Sequence, residues 1–352
     1  MSIGCIVSTR ESWCYLKFMN EEVPMKKSLT LSLVVISIFL FNFEKISFAA
    51  EYSMRTAEVS RETSHHALCQ NYFAKRMDEI TNGKAEVKVF LGGVLGNERN
   101  YCEQLQMGYL NFAKVPAGTL SAILPQFGVF SLPYLVRDLD HLYKIFDSPP
   151  GKILQDAAEK AGFIILAYWD MNAQNIYNSG KPITKPEDLK GLKIRTREAR
   201  VNIDGLNAMG ASAAPLAIPE VYTALQTKVF DGGDNDPIAF CVFNLYEVCK
   251  FYSLTEHTME PCIFLASKKL FDKLPKDMQD AVRQAGRDSM RYCEQTASPL
   301  KLKEALGIMQ KNGVKINKVD KEAFRKLVVP VQTKYKNELG ADLVDGIARI
   351  IK

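Results

Sequence analysis

An arginine at the end of a predicted strand is the residue whose type and position most clearly indicate chemistry. Residues 192–195 form a short predicted strand that ends at Arg195, and Arg197 and Glu198 follow it. Strand ends in α/β sheets face the ligand crevice. The planar guanidinium of Arg195 matches a carboxylate with two parallel N–H donors, which a lysine cannot do. The sequence therefore predicts a carboxylate-binding position here; the alternatives are a solvated arginine or a salt bridge to Glu198 or Asp188.

An asparagine and a histidine pair offer further polar groups, each with an ordinary structural alternative. Asn235 lies in the run DGGDNDP at 231–237 and could supply an amide to the same ligand, although such a run is also typical of a turn. His65 and His66 stand at a predicted helix N-terminus. Capping or surface roles are expected there rather than catalysis.

The sequence carries none of the common enzyme signatures. It has no GxSxG, HExxH or P-loop motif, and its glycines at 92, 93 and 96 do not have the dinucleotide-binding spacing. Pairs of Asp and Glu are too frequent to nominate a glycosidase dyad, whose carboxyls must converge in space. With no CxxC and only four His, the spacing of a metal site is missing too. We therefore predict no catalytic residue, metal or cofactor.

Length and charge favour a two-lobed globular protein that does not bind nucleic acid. The chain has 352 residues, of which 47% are hydrophobic and 24% charged, and at roughly 150 residues per domain this predicts two lobes. The net charge of +5 comes from 45 Lys and Arg against 40 Asp and Glu, interleaved rather than clustered. Nucleic-acid binding usually needs a basic patch, so the pattern argues against it but suits a small anion.

An export signal begins at an internal methionine. Met25 is followed by two lysines, an apolar stretch at 29–43 and the small residues around Ala50, which is the three-part pattern of a secretory signal. Residues 1–24 then form an upstream extension or a longer first region of the signal. We expect a periplasmic protein with six cysteines after residue 49. In that compartment disulfides can form, with Cys241, Cys249 and Cys262 as their first source; the alternative is buried thiols.

Strands and helices alternate along the rest of the chain. Apolar patterns predict strands at 56–59, 85–91, 110–115, 163–168, 192–195 and 261–267, with helices between them. Thr184 to Glu187 reads as a capping box that opens a brief helix. A helical period beyond Pro275 continues to 309 with Ser289 as its one polar break, which indicates a long helix that spans both lobes. The fold class is α/β, with a sheet covered on both faces.

Four runs give the sequence a family resemblance. Together, and in this order behind an export signal, they resemble the solute-binding subunits of tripartite ATP-independent periplasmic (TRAP) transporters; the runs are 127–134 (FGVFSLPY), 188–195 (DLKGLKIR), 219–226 (PEVYTALQ) and 231–235 (DGGDN). The resemblance implies a two-lobe periplasmic solute-binding fold with hinge strands and a long lobe-spanning helix. It implies lobe I at 50–172 and 261–300, and lobe II at 173–260 and 301–352, after the extension and signal at 1–49.

The resemblance also implies a set of ligand-binding residues. Arg195 grips the substrate carboxylate and Asn235 assists it, and the other positions are Val59, Glu98, Pro116, Trp169 and Ile218. Two departures from the family pattern are informative. Gln174 stands where many members carry an arginine, and Arg197 replaces a small residue or proline, so that it could supply charge from another direction. These changes make a sugar acid or a hydroxy- or keto-acid at least as good a candidate as a C4-dicarboxylate.

As implied by this resemblance, the protein is a monomer that binds an organic acid anion, catalyses no reaction and delivers its cargo to TRAP membrane permease subunits. Two other functions stay open at this point. One is an exported enzyme that acts on an acidic sugar with Glu98 and a second carboxylate. The other is a sensory binding module that reports its ligand to a membrane receptor.

Overall fold

Two long strands at the centre of one mixed sheet organise the chain. The computed structural model describes residues 50–350, so the predicted signal and upstream extension at 1–49 lie outside the described residues. Among residues 50–350 the strand order is β2-β1-β3-β8-β4-β7-β5-β6, and β9 pairs with β8. The strands are β1 (Tyr52–Ala57), β2 (Ala85–Phe90), β3 (Phe112–Pro116), β4 (Phe163–Asn178), β5 (Lys193–Thr196), β6 (Ser212–Pro215), β7 (Gly232–Asn235), β8 (Phe251–Ser267) and β9 (Lys315–Lys318).

Helices follow most of the strands and cover the sheet. Many begin at a short polar residue, since its side chain accepts a hydrogen bond from a free backbone N–H group in the first turn. The helices are α1 (His65–Ile80), α2 (Glu98–Met107), α3 (Ala117–Leu120), α4 (Leu139–Phe146), α5 (Pro149–Lys160), α6 (Arg200–Ala208), α7 (Val221–Gln226), α8 (Pro237–Val242), α9 (Lys268–Phe271), α10 (Lys276–Tyr292), α11 (Ser298–Lys311), α12 (Lys321–Leu339) and α13 (Ala341–Ala348). None of these helices is long and apolar enough to cross a bilayer.

Strands β4 and β8 connect the two halves of the sheet. They have 16 and 17 residues and run antiparallel to each other. The end of β8 pairs with β3, which carries the parallel strands β1 and β2, while the end of β4 pairs with β7, which carries β5 and β6. The predicted α/β fold with hinge strands is therefore confirmed.

A long helix also contacts both halves. Helices α10 and α11 are joined by a π-helical turn, Cys293–Ala297, into one helical segment. Buried side chains of α10 pack with β4 and α1, whereas Ala305 and Met309 of α11 pack with α8. The polar break at Ser289 has a partner, since Trp169 Nε1 donates to its Oγ at 3.3 Å. The lobe-spanning helix predicted from the sequence is present.

Two local expectations concern the segment after Thr184 and the last helix. The segment after Thr184 is a short 3-10 helix, Pro186–Leu189, and its start is held by the Asp188 carboxylate, which accepts from Thr184 N at 2.8 Å; Glu187 is not the capping residue. Helix α13, expected in lobe II, packs in the same apolar cluster as α5. The lobe boundaries given above stay a prediction.

The six cysteines among residues 50–350 are all buried and free of disulfides. The predicted group of Cys241, Cys249 and Cys262 is therefore not bonded. Cys241 Sγ donates to the Ala305 carbonyl at 3.4 Å, and Cys262 lies in a different apolar cluster from the other two.

Two glycines of the long helix give a matched test of its packing. A Cβ on Gly286 would lie 2.9 Å from both Cβ and O of Leu166, whereas a Cβ on Gly307 would meet nothing within 4 Å. We expect Gly286→Ala to destabilise the fold by about 1–3 kcal/mol through overpacking. Gly307→Ala should stabilise it by about 0.4–1 kcal/mol through helix propensity and reduced unfolded-state entropy. Thermal unfolding of both variants measures this, and equal melting temperatures would contradict the packing described.

Candidate ligand-binding site

A cavity lies where strand ends from both halves of the sheet meet. One wall comes from the ends of β1 and β3 and the start of α2, and the opposite wall from the ends of β5 and β7 and the start of α8. The cavity has an accessible volume of about 80 Å³, well above the roughly 10–15 Å³ that one water molecule needs. The space suits a small polar molecule.

Seven of the nine predicted ligand-binding residues line this cavity, namely Val59, Glu98, Pro116, Arg195, Arg197, Ile218 and Asn235. Trp169 and Gln174 do not. Trp169 is buried on the other side of β4, where it stacks on Phe264 with ring centroids 4.3 Å apart. Gln174 is buried behind Arg197 and accepts a hydrogen bond from its Nη2 at 2.8 Å. Both residues therefore lie behind the wall of the cavity, and their contribution to ligand binding stays a prediction.

Arg195 is a buried cation with no ion-pair partner. Its side chain is 3% exposed, and its Nε donates to the Leu216 carbonyl at 2.8 Å, which fixes the direction of the guanidinium. Neither Nη atom has a hydrogen-bond acceptor among residues 50–350. Burial lowers the pKa of this guanidinium, while the neighbouring Tyr177 and Asp234 oppose that shift. The arrangement offers two adjacent N–H donors to an anion.

Arg197, two residues further on, has hydrogen-bond partners within the protein for both of its Nη atoms. Its Nη1 lies 3.1 Å from Glu260 Oε1, and the same carboxylate accepts from Gly118 N at 3.2 Å and Asn202 Nδ2 at 3.0 Å. Burial acts to lower the pKa of Arg197, but the charges of Glu260, Asp234 and further neighbours together outweigh it and the pKa is raised. A Cβ on Gly118 would lie 2.8 Å from Arg197 Cδ, so only glycine permits this approach of α3.

A chain of acidic and basic groups closes the opposite wall. Lys114 Nζ lies 3.0 Å from Glu58 Oε1 and 4.0 Å from Glu98 Oε1. Burial raises the pKa of Glu98, the charge of Lys114 opposes this shift and Glu58 adds to it. Lys114 and Glu58 were not singled out in the sequence, although a lysine inside the apolar run of β3 was a visible signal. This wall can accept hydrogen bonds from ligand hydroxyl groups.

The histidine pair was expected to cap α1 or to face solvent. Instead, both residues lie at the cavity. Ser64 supplies the cap, because its Oγ accepts from Ala67 N at 3.0 Å. His65 and His66 are both buried, and their Nε2 atoms donate to the same Asp170 carbonyl at 2.8 and 2.9 Å. Burial, followed by the charge of His65, holds the pKa of His66 well below its usual range. His65 Nδ1 is buried without a partner.

Asn235 ends a strand rather than lying in a turn. Its carbonyl accepts from Tyr252 Oη at 2.8 Å, and its Nδ2 is buried without a hydrogen-bond acceptor. The next residue, Asp236, caps α8 by accepting from Ile238 N at 2.8 Å. The preceding Asp234 carries a pKa lowered to about 2; burial alone would raise it, but His257 and the nearby arginines dominate. The amide of Asn235 is thus available to a ligand.

One group of metal-type side chains comes together among residues 50–350, formed by His65, Asp170 and Cys293. The Asp170 carboxylate accepts from four donors, which are Tyr143 Oη at 2.7 Å, Ser298 Oγ at 2.5 Å, Asn172 Nδ2 at 3.1 Å and Cys293 Sγ at 3.8 Å. Because these donors occupy both oxygens, the group is a hydrogen-bonded carboxylate rather than an open ligand set. It ties β4 to α4, α11 and the π turn.

A family model and an individual relative both match this chain over most of its length. The family model for "Bacterial extracellular solute-binding protein, family 7" matches residues 56–338. A solute-binding protein of Chromohalobacter salexigens is 34% identical over 275 residues, covering 76% of this chain and 79% of the relative.

Solved structures show the same likeness. The TRAP periplasmic solute-binding protein of Sulfitobacter sp. NAS-14.1, with bound β-D-galacturonate, is 33% identical with a TM-score of 0.81, covering 84% of this chain and 99% of that one. The one from Polaromonas sp. JS666, bound to D-erythronate, is 27% identical with a TM-score of 0.82, covering 86% and 99%.

The ion pair of Arg197 predicts a large stability effect. Arg197→Ala leaves the Glu260 carboxylate buried without its countercharge, which should lower the free energy of unfolding by about 3–5 kcal/mol. The matched control is Arg291→Ala, whose exposed pair with Asp288 is worth about 0–1 kcal/mol. The double variant Arg197→Met, Glu260→Gln should recover much of the loss. Denaturant unfolding measures all three, and an Arg197→Ala protein as stable as the parent would contradict the structural role.

Proposed function

We propose that this chain, which belongs to family 7 of the bacterial extracellular solute-binding proteins, the TRAP class, captures a sugar acid anion and delivers it to a TRAP permease. The observation that carries this proposal is the buried, unpaired guanidinium of Arg195 at the cavity. A desolvated cation costs several kcal/mol when it has no countercharge. A ligand carboxylate that accepts from both Nη atoms supplies that charge with the correct geometry.

The charges around the cavity favour one carboxylate on the ligand rather than two. Arg197 is neutralised by Glu260 and Lys114 by Glu58, so neither is a free second cation. The wall opposite Arg195 presents the carboxyl of Glu98, which would repel a second carboxylate but accept hydroxyl hydrogens. The ligands of the two solved relatives, galacturonate and erythronate, each carry one carboxylate and several hydroxyls. A sugar acid fits this distribution better than a C4-dicarboxylate.

Hydroxyl groups of the ligand would find both donors and acceptors. Asn235 Nδ2 is a donor without an acceptor. His65 Nδ1 is a potential acceptor without a donor, because the hydrogen on its Nε2 is directed to the Asp170 carbonyl. Groups of this kind reject analogues that lack a hydroxyl, since a buried polar atom is then left unpaired. Selectivity among sugar acids is therefore assigned to Asn235, His65 and Glu98.

The proposal includes no catalysis. An acidic-sugar hydrolase would need a second free carboxyl that converges with Glu98 on the ligand. Among the buried carboxyls nearby, Glu58 is paired with Lys114, Glu260 with Arg197, and Asp236 caps α8, so none of these three is free. Export through the signal that begins at Met25 and a periplasmic location complete the proposal, as does the transfer of unaltered cargo to membrane permease subunits. Recovery of intact sugar acid from denatured, loaded protein is the expected result.

Calorimetry with variants of Arg195 tests the function. D-Glucuronate and D-galacturonate should bind and raise the melting temperature, whereas neutral D-glucose should not, because it has no carboxylate for the guanidinium. Arg195→Ala should lose about 2–5 kcal/mol of binding free energy, roughly 30-fold to several thousand-fold in affinity. Arg195→Lys should also bind weakly, since one ammonium cannot make two parallel hydrogen bonds.

The empty Arg195→Ala protein is the control for folding. Its melting temperature should be no lower than that of the parent, because Arg195 has no ion pair to lose and its burial without a countercharge costs stability, in contrast to Arg197→Ala. Normal affinity of Arg195→Ala for a sugar acid would refute the assignment. Binding of succinate and no binding of any sugar acid would keep the carboxylate site but overturn the ligand class.

The raised pKa of Glu98 predicts a pH dependence of binding. The Glu98 carboxyl takes up a proton at a pH above the usual 4.5. A bound anion beside Arg195 adds negative charge nearby and raises the pKa of Glu98 further. Glu58 is already close to Glu98, and Lys114 compensates only in part. Affinity for D-glucuronate should therefore increase as the pH falls from 7 to 5, with proton uptake on binding. Calorimetry in buffers of different ionisation enthalpy measures this uptake. In Glu98→Gln the dependence should vanish; a parent affinity that falls over this range would contradict the assignment.

A further inference from the structure

Helices α1 and α10 pack antiparallel, and two of their contacts follow one register. Arg76 Nε lies 3.0 Å from Asp288 Oδ2. One turn closer to the start of α1, Tyr72 stacks on Tyr292 with ring centroids 4.2 Å apart and planes at 3°. Cys69 lies three residues before Tyr72 in the chain, and Cys293 directly follows Tyr292. The stacked tyrosines thus place two cysteines that are 224 residues apart in the chain (293 minus 69) near each other.

The two thiols are shielded from solvent and lie close together. Cys69 and Cys293 are both 0% exposed within one apolar cluster, and each is among the groups that shift the pKa of the other. Cys293 Sγ lies within 4.8 Å of a ring nitrogen of His65, which is one helical turn before Cys69 in α1. Cys293 is also the first residue of the π turn, and its Sγ donates to Asp170 Oδ1 at 3.8 Å.

We propose that Cys69 and Cys293 form a disulfide that joins α1 to the π turn of the long helix when the chain folds in an oxidising compartment. One thiolate attacks a disulfide oxidant to give a mixed disulfide, and the second thiolate displaces the remaining oxidant thiol. The two cysteines thereby lose two protons and two electrons, and the oxidant is reduced to two thiols.

The reaction belongs to the folding stage rather than to the finished protein. Burial raises the pKa of both thiols, so that the nucleophilic thiolate is scarce once α1 and α10 have packed. The same burial then protects the bond from reductants. Since the N-terminal turn of α1 carries His65 and His66 at the cavity, the bond would fix that wall of the ligand site to the long helix. The Asp170 carboxylate loses the Cys293 donor but keeps Tyr143, Asn172 and Ser298.

Peptide mapping after oxidative refolding tests this proposal. The protein is unfolded in urea with reductant, refolded with reduced and oxidised glutathione, then unfolded again, alkylated and digested. We expect one linked peptide pair that contains Cys69 and Cys293, with Cys102, Cys241, Cys249 and Cys262 alkylated. Alkylation of all six, or a link between any other two, would overturn the proposal. Neither result depends on ligand binding, so failure here is distinguishable from failure of the proposed function.

The melting temperature gives a second readout with matched variants. A crosslink that closes a loop of this length restricts the unfolded chain, so oxidised protein should melt roughly 5–10 °C above reduced protein. Cys69→Ser and Cys293→Ser should each abolish the difference between the oxidised and reduced samples, even if they lower both melting temperatures. Cys249→Ser, a buried cysteine without a thiol neighbour, should retain the difference. An equal melting temperature for oxidised and reduced parent protein would contradict the proposal.

Discussion

The burial of one uncompensated positive charge is the constraint on which the site depends. Around the cavity the protein pairs its other buried cations internally, Arg197 with Glu260 and Lys114 with Glu58. Arg195 alone is held by a neutral carbonyl and leaves its two Nη atoms toward the space between the two halves of the sheet. Burial of such a group without a countercharge lowers the stability of the empty protein, and a bound anion restores that stability. We therefore expect a bound carboxylate to supply the missing countercharge and to stabilise the folded protein through this single guanidinium.

Much of the fold could be predicted because its signals are local. The helical period beyond Pro275 and the short apolar runs each specify an element without reference to the rest of the chain. Arg195 could be found for the same reason, since it ends a predicted strand and strand ends meet at the crevice. Asn235 was found through its amide and the family resemblance, and the short strand that it ends was not predicted. Trp169 could not be placed in this way. Residues alternate sides along a strand, and β4 has irregular register near Asp170 and Gln174, which the sequence does not reveal.

The remaining features of the site depend on contacts between distant segments. Gly118 and Glu260 are 142 residues apart in the chain, yet the carboxylate accepts from the glycine N–H. His65 and His66 looked like helix-end residues, and only the position of the Asp170 carbonyl turns them toward the cavity. Partners of this kind come from the topology of the sheet, so residue type and spacing alone could not assign them.

The π turn has a consequence for how the chain tolerates insertions and deletions. One extra residue per turn rephases the helix by about 100°, which lets the buried stripe that begins in α10 end at Ala297 and a new stripe resume at Ala305. Removing a single residue between 293 and 297 would swing Ala305 and Met309 out of their cluster while α10 stayed in place. Both apolar cores therefore constrain the length of this five-residue segment. An insertion or deletion that shifts one core relative to the helix would also shift the other.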